Sequence, residues 1–228
     1  MRYAALSGDI ISSTSLNNKD KALLERSLKN LLDDLEKHFD VYGRIIKGDY
    51  LECVVPNAKQ GLRVALAIKS FVKSIPIELS SYKNKKRAKL YKEHGIRLAI
   101  GLGELDRYEP ENGVMDGEAI YFSGRLINNA TSTYDKERIV IKHTLFFASN
   151  DEQLNAQWEA IMALLDVLFS KATSRQSEVL YLKLLGNDEA AIAQQLGIDQ
   201  SVVNRHSTSV GWNAIETTVA YFNSSILT

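Results

Sequence analysis

The chain has 228 residues, of which 45% are hydrophobic and three are proline, and its acidic and basic residues are equal in number. This composition excludes a disordered chain and is sufficient to bury one large core or two smaller ones. The sequence has no run long enough for a membrane span, no signal-peptide pattern, and a single cysteine, Cys53, so we expect a cytoplasmic protein without disulfides.

The two ends of the chain differ in charge. Residues 1–150 contain 24 Lys/Arg against 19 Asp/Glu, whereas residues 151–228 contain 4 against 9. This asymmetry indicates two modules, of which the second is acidic. We predict an α+β domain over 1–148, a connecting helix over 149–172 and a helical module over 173–228.

The first elements follow from the spacing of apolar residues. An apolar run over 2–6 predicts a strand, and leucines at helical spacing from Leu24 onward predict an amphipathic helix. Apolar segments over 41–46 and 50–55 are separated by three turn residues, which predicts an antiparallel hairpin. A second helix is predicted over 58–72.

The rest of the first module continues this alternation. A strongly basic stretch over 80–92 precedes a predicted strand over 96–102 and a loop rich in Gly, Glu and Asp. A helix over 118–129 and a strand over 138–142 follow. The first six elements have the order β-α-β-β-α-β, which predicts a ferredoxin-like antiparallel sheet with helices packed on it.

Two aspartates, each preceded by glycine, lie beside these apolar segments. Asp9 follows the first strand and Asp49 lies in the hairpin turn, so the two carboxylates can converge at one edge of a sheet. Carboxylate oxygens favour Mg²⁺ or Mn²⁺, and such ions usually accompany a phosphate-bearing ligand. We therefore predict a metal at Asp9 and Asp49. The alternative is that Gly-Asp only supplies turn chemistry.

Polar residues around the two aspartates are candidates for phosphate binding. Ser12, Ser13 and Thr14 precede the first predicted helix, whose backbone N–H groups would suit a phosphate, and Lys47 precedes the second Gly-Asp pair. We expect these four residues to contact the ligand.

The C-terminal segment contains a dense local pattern. A long helix is predicted over 151–171, and residues 189–205 have the apolar spacing of two short helices joined at Gly197. Helices over 178–185 and 212–222 would support this pair. We interpret the pattern as a helix-turn-helix.

In a helix-turn-helix the first residues of the second helix face the base edges of DNA. Here these residues are Gln200, Ser201, Asn204 and Arg205, all of which are types that read bases. The module is acidic, however, and affinity for DNA depends on phosphate contacts. A dimer or the basic stretch over 80–92 would have to supply charge, and the alternative is a module for protein contacts.

The N-terminal segment resembles the catalytic domain of class III nucleotide cyclases over about residues 3–142. The resemblance rests on Gly8-Asp9-Ile10-Ile11-Ser12-Ser13-Thr14, on Lys47-Gly48-Asp49, on residues 97–103, and on the helix over 117–125. It implies that Asp9 and Asp49 bind metal, that Arg125 stabilises the phosphate during catalysis, and that the site forms across a homodimer.

The sequence departs from the cyclase pattern at the positions that read the nucleotide. Ile45 replaces the adenine-selecting lysine, Tyr121 the ribose-orienting asparagine, and Val114 the base-contacting acid. These departures argue against purine cyclisation.

Over its whole length the chain looks closer to the SatD-type bacterial proteins. The match includes Asp116-Gly117-Glu118-Ala119 followed by Arg125, and the final pattern from Ile192 to Val203. It implies a layout and no reaction. We therefore interpret the protein as a DNA-binding regulator with a domain that senses a nucleotide or phosphate. The alternatives are a metal-dependent nucleotide cyclase and a non-catalytic interaction scaffold.

Overall fold

The computed structural model describes residues 2–77, 85–132 and 141–226. The strands are β1 (Tyr3–Ile10), β2 (Tyr42–Ile46), β3 (Tyr50–Val55), β4 (Ile96–Gly103), β5 (Arg107–Glu109), β6 (Val114–Asp116) and β7 (Leu145–Ala148). The helices of the first part are α1 (Asn18–Phe39), α2 (Gly61–Ser74), α3 (Lys85–His94) and α4 (Glu118–Ser132). The remaining helices are α5 (Glu152–Lys171), α6 (Ser174–Leu185), α7 (Glu189–Leu196), α8 (Gln200–Ser209) and α9 (Trp212–Ser225). These elements confirm the predicted α+β class followed by a helical segment.

The main sheet has the strand order β2-β3-β1-β4-β7. Strand β1 pairs antiparallel with both β3 and β4, and β2 pairs antiparallel with β3, which is the ferredoxin-like arrangement. Strand β7, which lies beyond the six elements of that prediction, pairs parallel with β4 and makes the sheet a mixed one. The reason is α4, which crosses over the sheet between β4 and β7 and returns the chain in the same direction.

Three short strands were not predicted from the sequence patterns. The segment predicted as a loop after β4 contains the two-stranded hairpin β5-β6. The predicted strand over 138–142 falls largely outside the described residues, and the fifth strand of the sheet is found at Leu145–Ala148. Part of the basic stretch over 80–92 likewise lies outside the described residues.

The two faces of the sheet differ in the size of their side chains. One face carries large apolar residues such as Leu6, Ile10 and Leu98, which belong to the main hydrophobic core beneath α1 and α2. The opposite face carries Gly101, where an added Cβ would lie 2.0 Å from the carbonyl oxygen of Ala119. Helix α4 therefore packs on this face at a distance that only glycine allows.

Helix α2 is buried almost along its whole length. It lies between the sheet and helix α6, and its apolar residues from Leu62 to Val72 belong to the main core. That core continues without a break into the C-terminal helices, through residues such as Val179, Ile215 and Phe222. The C-terminal helices therefore cover α2 and share its core.

A buried ion pair fastens α5 to α2. The Lys69 ammonium is fully buried, lies 3.3 Å from a carboxylate oxygen of Asp166, and donates to Thr144 Oγ1 at 2.5 Å. Burial lowers the pKa of Lys69 and would raise that of Asp166. The nearby ammonium and the Thr144 donors outweigh burial at Asp166, so its pKa falls below the ordinary value.

One turn further along α2, Lys73 donates to the carbonyl oxygens of Phe169 and Ser170 at the end of α5. Burial lowers the pKa of Lys73 to about 7, and the positive charge of Lys69 contributes to this shift.

Among the described residues, no helix is both long enough and apolar enough to cross a bilayer.

Candidate functional site

Asp9 lies near the end of β1, between the two strands that flank it. In the sheet register it is opposite Tyr50 of β3 on one side and Arg97 of β4 on the other. Arg97 Nη1 donates to Asp9 Oδ2 at 2.9 Å. The Arg97 side chain is 4% exposed and the Asp9 side chain 26%, so the carboxylate is accessible while its arginine partner is buried.

The structure brings Asp49 close to Asp9, as the sequence predicted. The backbone N–H of Ile10 donates to the Asp49 carbonyl oxygen at 3.0 Å. Burial is the main cause that raises the pKa of Asp9, Arg97 opposes it, and the negative charge of Asp49 raises it further. The negative charge of Asp49 therefore disfavours ionisation of Asp9.

Asp49 also lies in a recess beside the hairpin turn. Its Oδ2 accepts a hydrogen bond from Ser13 Oγ at 2.6 Å. The recess has a volume of about 110 Å³, and its walls include Ser13, Thr14 and Lys47. Three of the four predicted phosphate-binding residues thus surround Asp49, in a space suited to an ion or a single phosphate group. Ser12 does not line the recess.

The chain segment that carries Ser12, Ser13 and Thr14 is not the start of helix α1. Residues Ser13–Ser15 form one 3-10 turn, and Ser12 before it has a left-handed backbone with φ of 60°. Helix α1 begins only at Asn18, where Asn17 Oδ1 accepts from the Asp20 N–H at 2.8 Å. The expected helix N-terminus at these residues is therefore absent, because Asn17 is the better capping position.

Arg125 lies on the exposed side of α4. Its guanidinium stacks over the ring of Tyr121, one helical turn earlier, with 3.9 Å between Cζ and the ring centroid, and donates to the Tyr121 hydroxyl. Within the described part of the chain, Arg125 forms no ion pair with Asp9 or Asp49. The structure therefore does not bring this predicted catalytic residue into contact with the aspartates of its own chain.

The sequence patterns gave no role to several polar residues beside Asp9. Because residues opposite one another in an antiparallel register share a face, Tyr50 and Glu52 of β3 lie on the same face as Ser7 and Asp9. Ser7 hydrogen-bonds to Ser123 of α4 at 2.9 Å. The polar alternation of β3 was a usable signal for this face.

Arg44 extends the same polar face onto β2. It lies opposite Glu52 in the register and forms an ion pair with it at 2.5 Å. Its Nη1 donates to the Gly113 carbonyl at 2.6 Å, which ties the sheet to the segment between β5 and β6.

The aspartate pair suits a metal that takes only part of its ligands from protein. No cluster of three or more His, Cys, Asp or Glu that could hold a metal occurs among residues 2–77, 85–132 and 141–226. Mg²⁺ characteristically uses one or two carboxylates and completes its shell with water and ligand phosphates. Asp9 and Asp49 fit that requirement, with Arg97 competing for one carboxylate.

The C-terminal helices occupy the positions that the pattern predicted. Helices α7 and α8 are joined through Gly197, which has a left-handed backbone with φ of 62°. Gln200, Ser201, Asn204 and Arg205 are all exposed on α8. Buried residues of the same helix, Val203 and Ser207 among them, face the other helices.

Most basic residues of this module are neutralised by neighbouring acids. Arg175 pairs with Glu178 at 2.5 Å and Lys183 pairs with Glu189 at 3.1 Å. Arg205 forms no ion pair within the described residues. The α8 surface therefore offers little positive charge in one copy of the chain.

Comparisons with known proteins gave only distant similarities. No protein-family model and no curated protein matches the sequence. Two solved structures, each described as a bacterial light-regulated adenylyl cyclase, align with 64% of this chain. The first structure is 12% identical in sequence, with a TM-score of 0.43, and this chain covers 43% of its length. The second is 16% identical, with a TM-score of 0.42, and this chain covers 74% of its length. The chain thus spans less than half the length of the first, and the resemblance to SatD-type proteins stays a prediction.

Proposed function

We propose that the protein is a DNA-binding regulator whose α+β domain is cyclase-like and senses a nucleotide or another phosphate compound. The observation that carries the proposal is the convergence of Asp9 and Asp49 at one edge of the sheet. Two carboxylates that repel each other favour a divalent cation between them, since the cation removes the repulsion. Mg²⁺ or Mn²⁺ is the expected ion because both oxygens are hard ligands.

The surroundings of Asp49 support a phosphate group as the partner of that ion. Thr14 supplies a hydroxyl donor and Lys47 a positive charge on the exposed hairpin turn, while the Ser13 hydroxyl donates to Asp49. The recess of about 110 Å³ is too small for a whole nucleotide. The sugar and base would therefore lie outside it.

The binding half of the proposal is tested by thermal unfolding with a panel of nucleotides in Mg²⁺, Mn²⁺ or EDTA. Asp49→Asn removes the charge and keeps an acceptor for Ser13, so it should preserve the fold. We expect a metal-dependent rise in melting temperature that Asp49→Asn loses. Asp33→Asn, an exposed acid on α1, is the matched control and should retain the rise. A panel without any metal-dependent rise would refute this half.

The DNA half rests on the face of α8. Four side chains of types that can read base edges are exposed together on one helix, and this exposure supports the proposal that α8 is a recognition helix. Because Arg175 and Lys183 are paired with acids, a single module would make few phosphate contacts. We therefore propose a homodimer that presents two α8 helices to one DNA duplex.

The DNA half is tested by fluorescence anisotropy on random-sequence duplex at low salt, with the oligomeric state measured in parallel. Arg205→Ala should weaken binding and reduce the salt slope by about one unit. Arg26→Ala, which removes an exposed arginine from α1, is the control and should change neither. If the full-length protein binds no DNA at low salt, the regulator is not a DNA-binding one.

A metal-dependent nucleotide cyclase is the second candidate. Arg125 is exposed on α4, where it can face a second copy of the chain and neutralise charge on a bound triphosphate. Turnover of ATP or GTP with Mn²⁺ should then be lost in Arg125→Ala and in Asp9→Ala. If the protein binds a nucleotide without turnover, the sensor hypothesis remains and the cyclase hypothesis is excluded. If it neither binds nor turns over a nucleotide, the interaction scaffold is favoured.

A further inference from the structure

A cavity lies where the C-terminal helices meet α2, away from the aspartate pair. It has a volume of about 540 Å³ and is bounded by α2, by the turn between α6 and α7, and by α9. This volume falls within the usual range for small-molecule sites. Neither Asp9, Asp49 nor the exposed face of α8 contributes to its walls.

Most charges in the cavity wall are already satisfied. Glu189 accepts from Lys183 at 3.1 Å, and the Lys183 ammonium also lies 5.0 Å from the ring centroid of Trp212. Asp188 caps helix α7 by accepting from the Ala191 N–H at 2.8 Å. These groups are therefore occupied in maintaining the turn and the helix start.

Two opposite charges in the wall, Arg63 and Glu216, have neither an ion pair nor a helix-capping role among the described residues. Arg63 of α2 donates from Nε to the Leu184 carbonyl at 2.6 Å, and its Cζ lies 5.5 Å from the ring centroid of Phe39. Neither terminal nitrogen of Arg63 donates a hydrogen bond to a described residue. Arg63 Nη2 lies beside Gly186, since a Cβ added to this glycine would be 3.4 Å from that nitrogen. Glu216 of α9 lines the same cavity, and no basic group of the described residues lies within ion-pair distance of its carboxylate.

A third unsatisfied group lies on the same wall as Glu216. The Oδ1 atom of Asn223 is buried and accepts no hydrogen bond. Glu216, Val219, Ala220 and Asn223 have the spacing of one helix face, so the carboxylate and the amide oxygen project from the same side of α9. Burial lowers the pKa of Arg63 while Glu216 partly opposes the shift, which indicates that the two charges interact across the cavity.

We propose that this cavity binds a small zwitterion of the α-amino acid type. The ligand carboxylate would accept from the two terminal nitrogens of Arg63, a geometry that a guanidinium favours. The ligand ammonium would donate to the Glu216 carboxylate. The apolar side chain of the ligand would pack against Trp212, Val219 and Ala220.

Several observations select a zwitterion over a simple anion or cation. An anion would pair with Arg63 but would be repelled by Glu216. A cation would satisfy the α9 wall but would face the Arg63 guanidinium. A molecule with one charge of each sign can pair with both Arg63 and Glu216.

The test is thermal unfolding of the full-length protein with each of the common amino acids at millimolar concentration, followed by calorimetric titration. We expect one or a few amino acids to raise the melting temperature by at least about 3 °C. The corresponding amino-acid amide and the N-acetyl derivative should each lose this effect, because each lacks one charge.

Two variants separate binding from folding. Glu216→Gln removes an exposed charge and should abolish the rise with little change in the melting temperature of the free protein. Glu159→Gln, on the exposed side of α5, is the matched control and should bind as the parent does. The proposal is overturned if no amino acid stabilises the protein, if the blocked derivatives stabilise it equally, or if Glu216→Gln binds unchanged.

Discussion

Removing the charge of Asp166 should destabilise the protein strongly, because Lys69 would then remain buried without a counter-ion. The two groups are 3.3 Å apart, and Lys69 has no exposed surface. With an effective dielectric constant of about 20, their attraction is about 5 kcal/mol. Asp166→Asn keeps an acceptor for the Thr144 N–H, and Lys69 keeps the neutral acceptors His94 O, Ile96 O and Thr144 Oγ1. We therefore expect a loss of about 3 kcal/mol in the free energy of unfolding.

The measurement is urea unfolding at neutral pH, with the free energy of unfolding compared between parent and variant. The exposed pair of Arg107 and Glu109 has nearly the same length, 3.2 Å, with side chains 58% and 40% exposed. Glu109→Gln should therefore cost less than about 1 kcal/mol. Adding Lys69→Met to Asp166→Asn should recover part of the loss, since the unpaired Lys69 ammonium is then removed. A cost below about 1 kcal/mol for Asp166→Asn would refute the reasoning.

The remaining predictions concern Lys73 and two glycines. Because burial lowers the pKa of Lys73 from 10.5 to about 7, the unfolded chain binds a proton between these values that the folded protein does not. Stability should rise with pH in this window, by up to about 1.4 kcal/mol per pH unit, and Lys73→Met should flatten the slope measured by urea unfolding. Gly101→Ala should cost about 1–3 kcal/mol or more by chemical denaturation, since its Cβ would lie 2.0 Å from the Ala119 oxygen. Gly124→Ala on α4 has nothing within 4 Å and should instead gain about 0.5–1 kcal/mol; equal effects of the two substitutions would contradict the packing described for α4.

The sequence predicted those features that depend on local spacing. The helices other than α3 follow apolar periodicity, and the hairpin turn that carries Asp49 follows its glycine, so these elements lie close to where they were predicted. Helix α3 was not predicted, because its segment is dominated by basic residues. The proximity of Asp9 and Asp49 needed only the pairing of β1 with β3. A single pairing between distant strands can be inferred when one of the two strands belongs to a hairpin and the resulting strand order is a common one.

The features that the sequence did not predict depend on contacts between distant segments. The ion pair of Arg97 with Asp9 requires the register between β1 and β4, which no local pattern specifies. Strand β7 has only four residues, so its apolar run is too short to be distinguished from a loop or a helix. The cover of α6 on α2 could have been inferred, because Val64, Ala65, Leu66, Ala67 and Ile68 are consecutive apolar residues and indicate a helix buried on all sides.

The burial of α2 between the sheet and α6 makes the C-terminal helices part of the folding unit of the N-terminal half. A protein cut after residue 172 would expose the apolar outer side of α2 to water, and exposed apolar surface of that kind promotes association. Measurements on separately expressed halves would therefore reflect misfolded protein and not the properties of two independent modules. Point substitutions in the intact chain are the appropriate way to assign a role to either half.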